Sequence, residues 1–100
     1  MQYKIPNKFR VGGQEIEVKF PEILAYDKMG DCCMWSGELN ISNTYKGHPQ
    51  CESSKLNTFN HELVHIILDT MGEYELSNNE RFVCSFAGFL TDALTSFEYK

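Results

Sequence analysis

One segment of the chain, Asn60–Leu68, combines two histidines with an almost unbroken apolar stretch. His61 and His65 are four residues apart, and Glu62 directly follows the first of them. If the segment is helical, both imidazoles project from one face, and Glu62 lies roughly 100° around the helix axis from His61. The chain must therefore fold so that this side of the helix has polar partners.

The residues around the histidines predict that this helix is buried. Apolar residues recur along it at helical spacing, at Leu56, Phe59, Leu63, Ile67 and Met71. With Val64, Ile66 and Leu68 added, the helix is apolar over most of its girth, which is typical of a buried element. Buried polar groups need partners, and one metal ion would satisfy both imidazoles at once.

The spacing His61-Glu62-x-x-His65 is that of the metal-binding helix of zinc peptidases. Zinc binds imidazole nitrogens at about 2.0–2.1 Å. Glu62 is then placed to take a proton from a water molecule whose pKa zinc lowers toward about 7. The predicted cofactor is Zn²⁺, although histidine and carboxylate ligands also suit other divalent first-row ions.

The third ligand of such a site must come from outside the motif, because a catalytic zinc has three protein ligands and one open position. No histidine follows His65, which excludes a metzincin. We favour Glu80, since two histidines and one glutamate are a standard set; its alternative role is in a capping box with Ser77. Asp69 is better suited to orient His65, and His48 is a weaker candidate ligand.

The length and composition of the chain exclude several classes of protein. One hundred residues suffice for one domain with a single small core. A net charge of −5 argues against nucleic-acid binding, and no apolar run is long enough to cross a bilayer. The N-terminus lacks the apolar core of a signal peptide, so we expect a cytoplasmic protein. Its cysteines form no Cys-x-x-Cys pair and are expected to be free, mostly buried thiols: Cys32, Cys33, Cys51 and Cys84.

The first half of the chain, residues 1–50, reads as mainly β. After an extended lead-in over residues 1–7, two alternating segments flank the turn signal Gly12-Gly13 and predict a hairpin, with Ile16, Val18 and Phe20 on one face. Residues 32–35 and 38–42 flank Ser36-Gly37 and predict a second hairpin, followed by a loop over residues 43–52. We expect one small, mostly antiparallel sheet.

The second half reads as two helices. The first covers 53–71, with Ser53 or Ser54 as its N-cap and Gly72 after its C-terminus. The second covers 78–97 and begins at the capping box; its predicted core side consists of Phe82, Phe86, Phe89, Leu90, Ala93 and Phe97. The fold class predicted for the chain, residues 1–100, is therefore α+β, with two packed helices after a small sheet.

Two segments together resemble a known family. His61–His65, followed by Asn79–Leu90, is similar to the corresponding segments of small gluzincin-type metallopeptidases. The chain resembles the short phage- and prophage-borne His-Glu-x-x-His proteins and, more distantly, the ImmA/IrrE-type peptidases, over residues 53–97. The resemblance implies a minimal zincin-like domain, Glu80 as the residue that completes the site, and a bacterial or phage-infected cytoplasm as the setting.

Two functions are compatible with these features. The first is a zinc-dependent peptidase acting on a peptide or protein substrate, with Glu62 as general base. Its oxyanion needs a donor, for which Tyr45, His48 and Tyr74 are candidates. The alternative is a non-catalytic metal-binding interaction protein of phage or mobile-element origin, in which the metal stabilises a small fold.

Overall fold

A computed structural model describes residues 4–99; residues 1–3, which belong to the predicted lead-in, and residue 100 lie outside the described part. The strands are β1 (Lys8–Val11), β2 (Gln14–Lys19), β3 (Gly30–Cys33), β4 (Glu38–Ile41), β5 (Thr44–Tyr45) and β6 (His48–Pro49). The helices are α1 (Glu52–Met71), α2 (Tyr74–Ser77) and α3 (Glu80–Thr95), and a 3-10 turn covers Ala25–Asp27. The predicted α+β class is confirmed.

The first hairpin has the predicted turn. Gly12 and Gly13 both have positive φ, 58° and 83°, as a two-residue turn of type I′ requires. Ile16 and Val18 point into the core, whereas the charged residues that alternate with them, Glu15, Glu17 and Lys19, are exposed. Phe20 lies beyond the last residue that pairs with β4 and is 39% exposed, so its predicted place on the buried face is wrong.

The second hairpin is shifted along the chain. Its first strand begins at Gly30 and ends at Cys33, because the N–H of Gly37 bonds to the carbonyl of Cys33 and closes the turn there. Met34 and Trp35, predicted in the strand, therefore lie in the turn, and Trp35 is 82% exposed. Leu39 and Ile41 of β4 are fully buried, as predicted.

The four longer strands form one mixed sheet in the order β1-β2-β4-β3. Both hairpins are antiparallel, but β2 and β4 pair in parallel, with Val18 opposite Leu39. The expected mostly antiparallel sheet is therefore divided by a parallel pair, and β3 forms one edge. Within the predicted loop, β5 and β6 form a separate antiparallel pair.

Helix α1 packs on the sheet with one side and on α3 with another. Six buried side chains fill the space between the sheet and α1: Ile16, Val18, Leu39, Ile41, Phe59 and Ile66. A second cluster joins α1 to α3: Val64, Leu68, Val83 and Ala87. Packing on two sides confirms the predicted burial of α1. Ile67 and Met71 of the predicted apolar stripe are nevertheless 39% and 66% exposed.

The end of α1 reverses the chain toward the histidines. Gly72 has a φ of 80° and donates its N–H to the carbonyl of Asp69, and Glu73 donates to the carbonyl of Leu68. These are the two bonds of a Schellman motif, so the predicted role of Gly72 is confirmed. The predicted N-caps are wrong, because Cys51 occupies that position and Ser54 bonds to the side chain of Gln50.

The start of α3 differs from the prediction in a way that matters for the site. Asn79 is the N-cap, and its side chain accepts the N–H of Phe82 at 3.1 Å. The predicted capping box is therefore wrong: Ser77 ends α2, and Glu80 is the first residue of α3.

The buried face of α3 is also rotated from the predicted one. Val83 and Ala87 are buried against α1. Four residues of the predicted core side are exposed instead: Phe86 (50%), Phe89 (77%), Phe97 (48%) and Ala93. Phe82 and Leu90 are partly buried beside the same cluster. Across residues 4–99, no helix combines the length and apolar character that crossing a membrane requires.

Candidate metal centre

A cleft of about 420 Å³ lies between the edge of the sheet and the three helices. The residues that line the cleft are Lys28, Gly30, Asp31, Cys32, His61, Glu62, His65, Asp69, Ser77, Asn78 and Glu80. The motif helix α1 supplies one wall and the edge strand β3 supplies another. The polar side of α1 therefore faces this cleft, while its apolar sides face the sheet and α3.

Glu80 reaches both histidines from the separate helix α3. Its Oε2 lies 3.3 Å from Nε2 of His61, and its Oε1 lies 3.1 Å from Nε2 of His65. The two histidine side chains are 21% and 16% exposed, whereas that of Glu80 is 64% exposed. The site is thus built on a largely buried pair of imidazoles and opens to solvent on the side of the carboxylate.

The spacing of these groups suits a small divalent cation. One ligand atom from each of the three residues can be chosen so that all lie within 4.8 Å of one another. Tetrahedral ligands that are about 2.1 Å from zinc are roughly 3.4 Å apart, close to the two distances from Glu80 to the imidazoles. Two nitrogens and a carboxylate are also a donor set that zinc favours, so the residues fit the predicted metal.

Glu62 is the most enclosed acidic group in the cleft, at 8% exposure. Burial raises the pKa of its carboxyl group above the ordinary value, and a hydrogen bond from the Cys32 thiol lowers it by a smaller amount. Burial, together with the charge of Glu62, raises the pKa of Cys32, which keeps this thiol protonated and able to donate. Glu62 is therefore held beside the histidines as a carboxylate with increased affinity for a proton.

Nδ1 of each histidine, the ring nitrogen that does not face Glu80, also has a neighbouring polar group. Nδ1 of His65 lies 3.0 Å from Oγ of Ser77, a residue that is only 4% exposed. Nδ1 of His61 lies 3.9 Å from Sγ of Cys84, whose thiol is also 4.0 Å from Oε2 of Glu80. The sequence predicted Asp69 as the residue that orients His65; Asp69 lines the cleft, but Ser77 is the hydrogen-bond partner of Nδ1.

The three predicted oxyanion donors lie away from the cleft. Tyr45 and His48 are paired with each other in the β5–β6 ladder, and Tyr74 is 55% exposed on α2. None of them is among the described residues that line the cleft. Lys28 and Asn78 do line the cleft and offer an ammonium group and a side-chain amide as donors, but neither had a motif or a periodic pattern by which the sequence could reveal it.

The cysteines are free, as predicted, but mostly exposed rather than buried. Cys33, Cys51 and Cys84 are exposed, and Cys32 is partly buried against Glu62. The expectation of mostly buried thiols came from the redox compartment and did not distinguish the four cysteines by position. Position decides instead, because only Cys32 lies on the face of β3 that packs against α1.

Comparison with known proteins adds no further constraint to this geometry. No family model, no curated protein and no solved structure matches the chain. The chain's own residues therefore have to indicate its function, above all Glu80 and the two histidines that it approaches.

Proposed function

We propose that this protein is a zinc-dependent peptidase with a minimal, gluzincin-type zincin domain, in which His61, His65 and Glu80 hold the metal. The observation that carries this proposal is the position of the Glu80 carboxylate, 3.3 Å and 3.1 Å from the Nε2 atoms of the two histidines. The sequence motif alone supplies two ligands, and a glutamate from a separate helix completes the set that catalytic zinc sites use.

Glu62 is the general base of the proposed reaction. A divalent metal ion bound by the three ligands supplies Lewis acidity, which polarises a carbonyl group and acidifies water. The Glu62 carboxylate accepts a proton from the attacking water and passes it to the nitrogen of the leaving amine. The position of Glu62 supports the role, because its carboxylate is 8% exposed and lines the cleft beside both histidines.

The edge strand β3 offers a binding surface for an extended peptide. Ser42 donates its N–H to the carbonyl of Met29, and hydrogen-bonded and non-hydrogen-bonded pairs alternate in an antiparallel ladder. Gly30 and Cys32, opposite Ile41 and Leu39, therefore direct their backbone N–H and C=O groups away from β4. Both residues line the cleft, so a peptide that adds to this edge as a strand would pass the histidines.

A direct test compares the wild type with Glu62→Gln. Both are loaded with zinc and incubated with a mixed library of synthetic peptides, and new termini are identified by mass spectrometry. Removing a general base costs about 10²–10⁴-fold in rate, so cleavage should fall by that factor while metal content and melting temperature stay unchanged. Glu75→Gln, at an exposed glutamate outside the cleft, is the matched control. Cleavage at the wild-type rate by Glu62→Gln would contradict the proposed mechanism.

A non-catalytic role for the same metal is the second candidate, and one observation favours it. The three proposed ligands come from two helices, α1 and α3, so a bound ion would tie those helices together. Because a domain of this size has only a small hydrophobic core, such a connection would add substantially to its folding stability. Under this alternative, wild-type protein binds zinc and is stabilised by it but cleaves no peptide in the library, and Glu62→Gln retains the biological activity. The bacterial or phage setting belongs to both proposals and rests on the sequence resemblance.

A further inference from the structure

The two ring nitrogens of His65 have different neighbours, and this constrains where its proton lies. Nε2 is 3.1 Å from Oε1 of Glu80, and Nδ1 is 3.0 Å from Oγ of Ser77. An ionised carboxylate only accepts hydrogen bonds. In this arrangement a neutral ring therefore carries its proton on Nε2 and donates it to Glu80, while Nδ1 accepts a hydrogen bond from the Ser77 hydroxyl.

Metal binding would require the opposite tautomer. A histidine that coordinates through Nε2 uses the lone pair of that atom, so its proton must reside on Nδ1, where it needs an acceptor. The neighbour of Nδ1 is the same hydroxyl of Ser77. A hydroxyl can donate or accept, whereas a carboxylate or a backbone carbonyl can only accept.

We propose that Ser77 is a positioning residue for His65 whose hydroxyl supports both tautomers, donating to Nδ1 before the metal binds and accepting from Nδ1 afterwards. For a neutral ring the proton count balances: Nε2 gives up one proton to solvent, Nδ1 takes one from solvent, and the serine rotates but keeps its own proton. The imidazole thus stays in one orientation while its role changes from hydrogen-bond donor to metal ligand. This inference rests on the metal binding in the proposed function and does not depend on hydrolysis.

The burial of Ser77 supports this role over a purely local one. Ser77 is the last residue of a four-residue helix and is 4% exposed, so its hydroxyl is held in place against the ring. His61 has a similar but more distant neighbour: its Nδ1 lies 3.9 Å from Sγ of Cys84. A thiol, like a hydroxyl, can donate or accept a hydrogen bond. Both imidazoles are therefore met by groups that serve either tautomer, and the shorter contact is the one from Ser77.

The tautomer can be read directly by long-range proton–nitrogen NMR on protein labelled with nitrogen-15, at a pH where the ring is neutral. For His65 we expect the proton on Nε2 in the metal-free protein and on Nδ1 after titration with zinc chloride. Ser77→Ala should bind zinc about 10–100-fold more weakly, the usual cost of losing such a partner. Ser77→Thr keeps the hydroxyl and should recover most of the affinity.

The matched control is Ser42→Ala, which also removes a buried serine hydroxyl; that hydroxyl is bonded to the carbonyls of Thr44 and Glu22 and lies outside the cleft. Its zinc affinity should equal that of the wild type, and the same result for Ser77→Ala would overturn the inference. A proton already on Nδ1 of His65 in the metal-free wild type would also overturn it, whether or not the variants fold. Wild-type protein that binds no zinc would refute both proposals. Zinc binding that depends on Ser77 without any peptide cleavage would refute only the peptidase.

Discussion

Replacing Gly30 by alanine tests how closely the edge strand must approach the motif helix. A β-carbon at this position would lie 2.5 Å from Cγ2 of Thr58, 3.0 Å from the carbonyl oxygen of Asn40 and 3.4 Å from Cγ of Glu62. Carbon atoms in contact are normally about 3.5–4.0 Å apart. Either β3 must move away from α1, or the buried side chain of Thr58 must move, and each adjustment changes the packing around Glu62, whose Cγ the new β-carbon also contacts.

The expected cost follows from these distances. Overpacking of a well-packed core costs about 1–3 kcal/mol, and the reduced freedom of the unfolded chain returns about 0.4–1 kcal/mol of that. We therefore expect Gly30→Ala to lose about 1–2 kcal/mol of unfolding free energy. For a chain of this length, each kcal/mol corresponds to about 4–8 °C in melting temperature. If the proposed peptidase activity holds, displacing Glu62 by about 1 Å should also lower kcat by roughly 10²-fold.

Two further variants make the measurement specific. Thr58→Ser removes the methyl group that the new β-carbon meets but keeps the hydroxyl, so it should restore much of the stability of Gly30→Ala. Gly88→Ala, in the middle of α3 with no atom within 4 Å of the added carbon, should instead stabilise the protein, by about 0.5–1 kcal/mol. Thermal melts and urea titrations of the metal-free proteins measure both effects. Wild-type stability for Gly30→Ala, or no recovery with Thr58→Ser, would refute the argument.

Two other perturbations address the metal and the chain reversal. His61→Ala and His65→Ala should each abolish zinc binding and the zinc-dependent gain in unfolding free energy, which for the wild type should reach about 2.7 kcal/mol at a zinc concentration 100 times Kd. An equal gain in the variants would contradict the ligand assignment. Gly72→Ala places a β-carbon at a φ of 80°, so it should cost about 1–2 kcal/mol in urea titrations, whereas a neutral effect would show that the Schellman turn is not needed to return the chain to the site.

The position of Glu80 also explains why the buried face of α3 differs from the predicted one. The sequence of α3 is apolar over much of its circumference, so periodicity alone does not select which residues face α1. Once Glu80 faces the histidines, residues three, four and seven positions further along lie on the same side. Val83, Cys84 and Ala87 are therefore directed toward α1, while Phe86 and Phe89 are turned outward. The site, rather than the largest apolar side chains, sets the orientation of the helix.

The hydrogen-bond partners of the two histidines were harder to predict than the proposed metal ligands. Two histidines at helical spacing and a glutamate follow a standard pattern, so their types and positions carried the prediction. Ser77 and Cys84 have no such pattern; their roles depend on where the Schellman turn at Gly72 and the short helix α2 return the chain. The parallel pairing of β2 with β4 was equally hard to predict from the sequence. Turn residues specify each hairpin, but they do not specify which strands of two hairpins become neighbours.

The cap role that competed with metal binding at Glu80 belongs to Asn79, so the proposed ligand role of Glu80 can be tested separately from it. Asn79 caps α3 through its side chain, and Glu80 faces the histidines. Asn79→Ala should therefore cost about 0.5–2 kcal/mol of stability without changing zinc affinity once the folded fraction is taken into account. Glu80→Gln should do the reverse: a neutral amide is a poor zinc ligand, so affinity should fall at least about 10-fold, while the metal-free protein melts as the wild type does. Competition with a chromophoric chelator measures the affinity and circular dichroism measures the melt. If Glu80→Gln binds zinc as tightly as the wild type, the carboxylate is not a ligand, and the distances to the histidines reflect a hydrogen-bonded pair alone.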